Sequence, residues 1–275
     1  CGFLSAYMGP TLDFPEIDFY FRNLDGQAYL RRDVDLRGRT LVNRVELVSS
    51  TILQGIIIQK YTFDMRLDDE PFYTGNSTFG YFTLQSLSSQ AGLDMGKPPA
   101  RWHEANPNAP LTRVPGNRGR ARQSQPGTFM RLPVDRLAFL DDVQMSANGG
   151  REGQGYIWAT ANVHPSDWYF ACHFHEDPVM PGSLGLETVS QAIQAFALET
   201  GLGTQIQTPR FGLIEDHETV WKYRGQVLSD SANVHVEVHI TRVETTADAV
   251  HLYADASLWK GALRIYEFKN VGVRI

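Results

Sequence analysis

Apolar and polar residues alternate strictly through residues 233–240, where Val234, Val236, Val238 and Ile240 fall on one side, the pattern of a half-buried strand. Two further strand-like runs follow at 249–256 and 263–273, parted by the turn-forming Lys260-Gly261. Shorter runs at 210–214 and 220–223 precede them, so this end of the chain reads as an antiparallel meander. Ahead of the meander the period changes. Leu186, Val189, Ile193, Phe196 and Ala197 recur at helical spacing across 183–200, and Gly201 and Gly203 supply stop signals. Upstream, 155–163 and 167–174 read as strands. A long helix wrapped by an antiparallel sheet is an α+β arrangement.

Moving back about 192 positions gives a second copy of the meander, with runs at 17–22, 29–32, 40–48, 55–63 and 72–82. The same shift sets residues 1–8 against 193–201, so the opening Cys-Gly-Phe-Leu-Ser-Ala-Tyr reads as the end of a helix and the chain as a piece of something larger. Between the copies, periodicity vanishes in a stretch rich in Pro, Gly and Asn, holding Pro98, Pro99, Pro107, Pro110, Pro115 and Pro126. Three parts are therefore expected: a unit at 1–95, a linker at 96–131 and a second unit at 132–275.

Composition narrows the function. With 42% hydrophobic and 20% charged residues the chain is globular, and no run nears the roughly 20 apolar residues of a membrane span. The net charge of −6 argues against nucleic acid as a partner. Two cysteines, Cys1 and Cys172, are too few for a disulfide scaffold and favour a reducing compartment, the cytoplasm. The linker departs from this balance, setting Lys97, Arg101, Arg113, Arg118, Arg120, Arg122 and Arg131 against the single acid Glu104. It reads as a solvated connector, or else as a docking strip for an acidic partner.

Chemistry concentrates in Cys172-His-Phe-His-Glu-Asp-Pro-Val-Met-Pro-Gly-Ser-Leu-Gly-Leu-Glu187, which follows Trp168-Tyr-Phe and leads into the helix. This run resembles the signature of bacterial 3-hydroxyacyl-carrier-protein dehydratases of the dehydratase/isomerase type, matching at Trp168 to Phe170, Cys172 to Phe174, Asp177 to Gly182, Leu184 to Leu186 and Gln191. Residues 137–143 and 155–159 resemble the opening elements of the same hotdog fold. The first unit, with Phe19-Tyr-Phe-Arg-Asn-Leu-Asp-Gly and Asp33-Val-Asp-Leu-Arg-Gly-Arg-Thr, is similar to the degenerate hotdog preceding such a dehydratase in polyunsaturated fatty acid synthases and related iterative synthases. The resemblance implies a double hotdog in which the units pair within the chain, with a further homodimer open. It also implies a substrate carried on the phosphopantetheine arm of an acyl carrier protein, other domains of the same synthase as partners, and no cofactor or metal. Phe174, Met180, Pro181 and Gln191 are expected against the substrate in an apolar tunnel.

The reaction itself states what it needs. Removing water from a 3-hydroxyacyl thioester requires a base for the C2 proton, an acid for the hydroxyl, and a donor for the enolate-like oxygen. His173 suits the base, since imidazole accepts a proton near neutrality. Glu187 suits the acid if apolar neighbours keep its proton on; the resembled family carries Asp there, one methylene shorter. The amide of Gly182, opening the helix, is suited to the carbonyl, and Gln191, one turn after Glu187, to holding the carboxyl. In the resembled family each site takes histidine from one unit and acid from the other, and the shifted counterpart of Glu187 falls before Cys1. The pairing of His173 and Glu187 therefore stays open. Acyl-thioester hydrolysis and a non-catalytic acyl-binding or structural module are the competing functions. Cys172 is expected to be a small buried side chain, Asp177 a turn residue, and His235, His239 and His251 surface residues on strands.

Overall fold

A computed structural model describes residues 1–53, 55–118 and 130–275. The expected positions Arg120 and Arg122 lie outside the described residues. The first unit runs α1 (Gly2–Met8), β1 (Tyr20–Leu30), β2 (Val42–Leu53), β3 (Ile56–Leu67), β4 (Glu70–Phe82) and α2 (Leu84–Ser88). After it come α3 (Trp102–Ala105), β5 (Thr112–Pro115), β6 (Asp142–Ser146), β7 (Tyr156–Asn162), α4 (Gly182–Glu199), β8 (His217–Tyr223), β9 (Asn233–Thr245), β10 (Val250–Lys260) and β11 (Leu263–Arg274).

The strands form one antiparallel sheet in the order β2-β3-β4-β1-β8-β11-β10-β9-β7-β6-β5. The order β2-β3-β4-β1 is mirrored by β9-β10-β11-β8, so the repeat seen in the sequence becomes two like sheets meeting at β1 and β8. Six residue pairs join them, from Asp25 with Lys222 to Leu30 with His217. Each strand would otherwise be an open edge, and fusing them satisfies both rows of backbone groups. The 18-residue α4 lies against β7, β9, β10 and β11 and buries Val189, Ala192, Ile193 and Phe196 into the main core. In the first unit α1 occupies the corresponding place with seven residues, tied down by buried Ser5 to Gln59 and Tyr81.

Five expectations change. The runs at 17–22 and 29–32 overlap the two ends of the single strand β1, which carries an irregularity between Asn23 and Asp25. Residues 167–174 form a 3-10 turn, Trp168–Ala171, and a loop; Asp167 accepts from the His164 amide and the Tyr169 hydroxyl, both at 2.9 Å, closing the turn and burying two aromatics that alternation had assigned to a strand. The described part of the 96–131 stretch is not a free connector. Trp102 packs on Tyr156 with centroids 4.5 Å apart, its amide donates to Glu237 at 2.7 Å, and β5 pairs with β6 as an edge strand. Arg118 faces inward, 3.7 Å from Asp141 and 3.8 Å from Asp167, and Asn117 is fully buried. His239, expected at the surface, is 3% exposed, covered by the Tyr156 ring and accepting from the Arg151 amide at 3.3 Å. Cys172, expected buried, is exposed, because the strand that would have turned it inward is a loop.

Candidate active site

The loop between the 3-10 turn and α4 presents the histidine. The His173 amide bonds to the Tyr169 carbonyl at 3.0 Å, carrying the ring out of the turn. Its Nδ1–H donates to the carbonyl of Val179 at 2.9 Å, which leaves the Nε2 lone pair as the free basic position. Phe174 packs on the ring at 4.1 Å, and burial lowers the imidazole below its usual pKa of 6.5. The ring is thus held neutral, in one tautomer, beside the start of α4.

A cavity of about 90 Å³ opens in front of it. Its wall on the second unit includes His173, Phe174, Met180, Gly182, Tyr223 and Tyr266, and on the first unit Phe21, Arg22, Asn23 and Phe79. The site straddles the seam. Met180 is anchored by its amide to Val227 at 2.9 Å. Gly182 opens α4 with Pro181 before it, so its amide has no acceptor within the helix. A Cβ on Gly182 would lie 2.7 Å from the Tyr223 ring and 3.0 Å from its hydroxyl, so only glycine lets the helix start this close to that ring. The volume is below the roughly 150 Å³ that admits a benzene-sized ligand, smaller than the expected tunnel.

Glu187 and Gln191 belong elsewhere on α4, and neither is on the wall of this cavity. Burial raises the Glu187 carboxyl above its usual pKa, and Gln191 donates to it at 2.7 Å. Gln191 is 0% exposed and uses every bond it can make. Its Nε2 also donates to Leu137 at 2.7 Å, and its Oε1 accepts from Asn117 at 3.0 Å and the Phe139 amide at 3.2 Å. It orients Glu187 rather than touching the His173 cavity. Pro181 likewise stands off the wall, and its carbonyl accepts from Leu184 at 3.0 Å.

Sequence reasoning missed Arg22, Asn23, Tyr223 and Tyr266. Their signal was the seam: β1 and β8 occupy equivalent places in the repeat, and equivalent edges of two like sheets are natural partners. Asp177, expected to be a turn residue, is instead the partner of Arg22 in an ion pair of 2.5 Å. Among the described residues no cluster of His, Cys, Asp and Glu is suited to a metal ion, and no helix is long and apolar enough to cross a membrane.

The chain is 33% identical over its full length to a polyunsaturated fatty acid synthase polypeptide of Thraustochytrium sp., of which it spans 19%. Solved structures similar to it include a MaoC-like dehydratase, at 12% identity and TM-score 0.46 over 98% of this chain and 81% of that one. Another is acyl-CoA thioesterase II TesB2 from Mycobacterium marinum, at 9% identity and TM-score 0.44 over 93% and 80%. The FabA-like domain matches residues 132–269, the stretch that holds the histidine loop, α4 and most of the meander, and the chain belongs to the FabA-like family.

Proposed function

We propose that this chain is a dehydratase region of a multidomain synthase, converting 3-hydroxyacyl thioesters on a carrier protein's phosphopantetheine arm to 2-enoyl thioesters. The observation that carries the reading is a neutral imidazole with Nδ1 tied to a carbonyl, sharing one cavity with the unpaired first amide of α4. In the step proposed, His173 Nε2 takes the C2 proton while the Gly182 amide holds the thioester oxygen as negative charge grows on it. The C3–O bond then breaks and the hydroxyl leaves as water with a proton from a carboxylic acid. Glu187 has the raised pKa this role asks for. Because it stands off the His173 cavity, it acts in the neighbouring site of the pair, and His173 is served by an acid of another unit.

The test is conversion of 3-hydroxyacyl pantetheine to the enoyl thioester, followed by absorbance of the conjugated product, in wild type, His173→Ala and Glu187→Gln. Loss of turnover in His173→Ala supports the reading, and equal rates remove His173 from the chemistry. Release of free thiol without enoyl product would instead make the chain a thioesterase. Binding without turnover would make it an acyl-binding module.

A further inference from the structure

An ion pair across the seam takes no part in the chemistry above, yet it reaches the base. Arg22, on β1 of the first unit, donates through Nη1 and Nη2 to both oxygens of Asp177, at 2.5 and 2.9 Å. The same guanidinium donates through Nε to Gln226 at 3.0 Å and through Nη1 to the carbonyl of Phe21 at 2.9 Å. The two side chains are only 11% and 14% exposed. Asp177 lies between His173 and Val179 in the chain, and its carbonyl accepts from the Val179 amide at 2.9 Å. The loop that carries the base and the loop position that fixes its tautomer are therefore gripped together, from the other unit, by one planar fork.

Stability alone does not account for such a pair, since apolar side chains of like volume commonly serve as well or better in a buried setting. A two-pronged Arg–carboxylate contact adds orientation, which apolar packing does not. Resting on the reading of His173 as the base, we propose that Arg22 is its positioning residue, holding the imidazole over the cavity through Asp177. The first unit then contributes to catalysis by orienting the base.

Charge acts in the same place. Burial dominates the depressed pKa of His173; the Arg22 charge depresses it further, and Asp177 opposes. The other titratable groups on the cavity wall are Tyr223 from β8 and Tyr266 from β11, both kept protonated by burial. Replacing Arg22 by a neutral residue removes a repelling charge and frees Asp177, and both move the His173 titration upward.

The experiment compares wild type, Arg22→Gln, Arg22→Lys, Asp177→Asn and the Arg22→Gln/Asp177→Asn pair, by turnover of 3-hydroxyacyl pantetheine and by NMR titration of isotope-labelled histidine assigned with His173→Gln. The expected result is kcat about 10- to 100-fold lower in each single variant with KM little changed, as for a small displacement of a catalytic group. The double variant falls no further than the worse single, and His173 titrates higher in Arg22→Gln. Arg22→Lys, which keeps the charge but lacks the fork, still loses kcat and decides the matter if Arg22→Gln does not fold. A lower Tm in Arg22→Gln with kcat and the His173 titration unchanged overturns the proposal, as do additive losses in the double variant. Wild type without turnover defeats the dehydratase reading instead, and the titration then still decides whether Arg22 governs His173.

Discussion

Replacing Gln191 by Met separates two things this side chain does, because the apolar volume is nearly kept while four hydrogen bonds disappear. The change leaves the Phe139 amide and one hydrogen of Asn117 Nδ2 without an acceptor, in residues 2% and 1% exposed. Each buried orphan costs about 1–3 kcal/mol, so a loss of roughly 2–6 kcal/mol is expected from these two alone. That is a large share of the ~5–15 kcal/mol that holds a domain together. Gln194, on the adjacent turn of α4, is the internal control. Its Oε1 is buried with no partner, so Gln194→Met removes a cost and is expected to be neutral or stabilising. Denaturant titration of both variants measures the difference, with unchanged m-values confirming that the unfolded state is not what moved. A loss under about 1 kcal/mol in Gln191→Met, or equal losses in the two variants, would refute the claim that this network fixes the middle of α4 to the 133–140 segment.

The other predictions concern the site itself. Gly182→Ala should abolish turnover, because its methyl group would fall 2.7 Å from a Tyr223 ring backed by Tyr266 at 4.5 Å; overpacking of this kind costs ~1–3 kcal/mol, and steady-state kinetics with a melting curve checks both. Turnover should rise with pH through a midpoint below 6.5, since the folded imidazole binds its proton more weakly than a free one, and a rate profile with its acid limb above 6.5 would contradict that environment. Glu187→Gln should be more stable than wild type at neutral pH. A carboxyl whose folded pKa is raised above 4.5 binds protons better folded than unfolded, so wild type loses stability as pH climbs from 4.5 through the folded value. Chemical denaturation at pH 4 and pH 7 reads the gap between the two proteins, which should widen with pH.

Periodicity carried most of the fold because it reports which side of an element is buried. Val234 to Ile240 and Leu186 to Phe196 are on strand β9 and helix α4; α4 keeps within a residue of its expected bounds, and β9 starts where expected but continues to Thr245. It failed where burial has another source. Tyr169 and Phe170 are buried by a turn closed on Asp167, and an aromatic pair in a tight turn looks like a strand when only hydrophobicity is counted. The stretch rich in Pro and Arg has no period, yet Trp102 and Asn117 are fixed by a few specific long-range contacts, which leave no repeating trace in a sequence. In the site, His173 and Gly182 were legible because the loop and the start of α4 are contiguous. The separation of Glu187 from them was not, since it depends on which way α4 turns against the 133–140 segment.

The seam explains why a site needs both halves of the repeat. Gly26 on β1 sits under Trp221 of β8, where a Cβ would lie 2.5 Å from the indole and 2.6 Å from the Asn76 carbonyl. That close approach lets the indole N–H reach Asn23 Oδ1 at 3.0 Å, and Arg224 reach the Leu24 carbonyl at 2.8 Å. Asn23 in turn donates to Ser77 at 2.9 Å, so the cavity-facing end of β1 is braced from both neighbouring strands. Arg22 projects from this braced end onto Asp177. A weakened first unit would therefore reach the chemistry as a misplaced histidine loop. This supplies a physical reason for a half that carries no assigned reacting group to retain β1 through β4 beside the half that does.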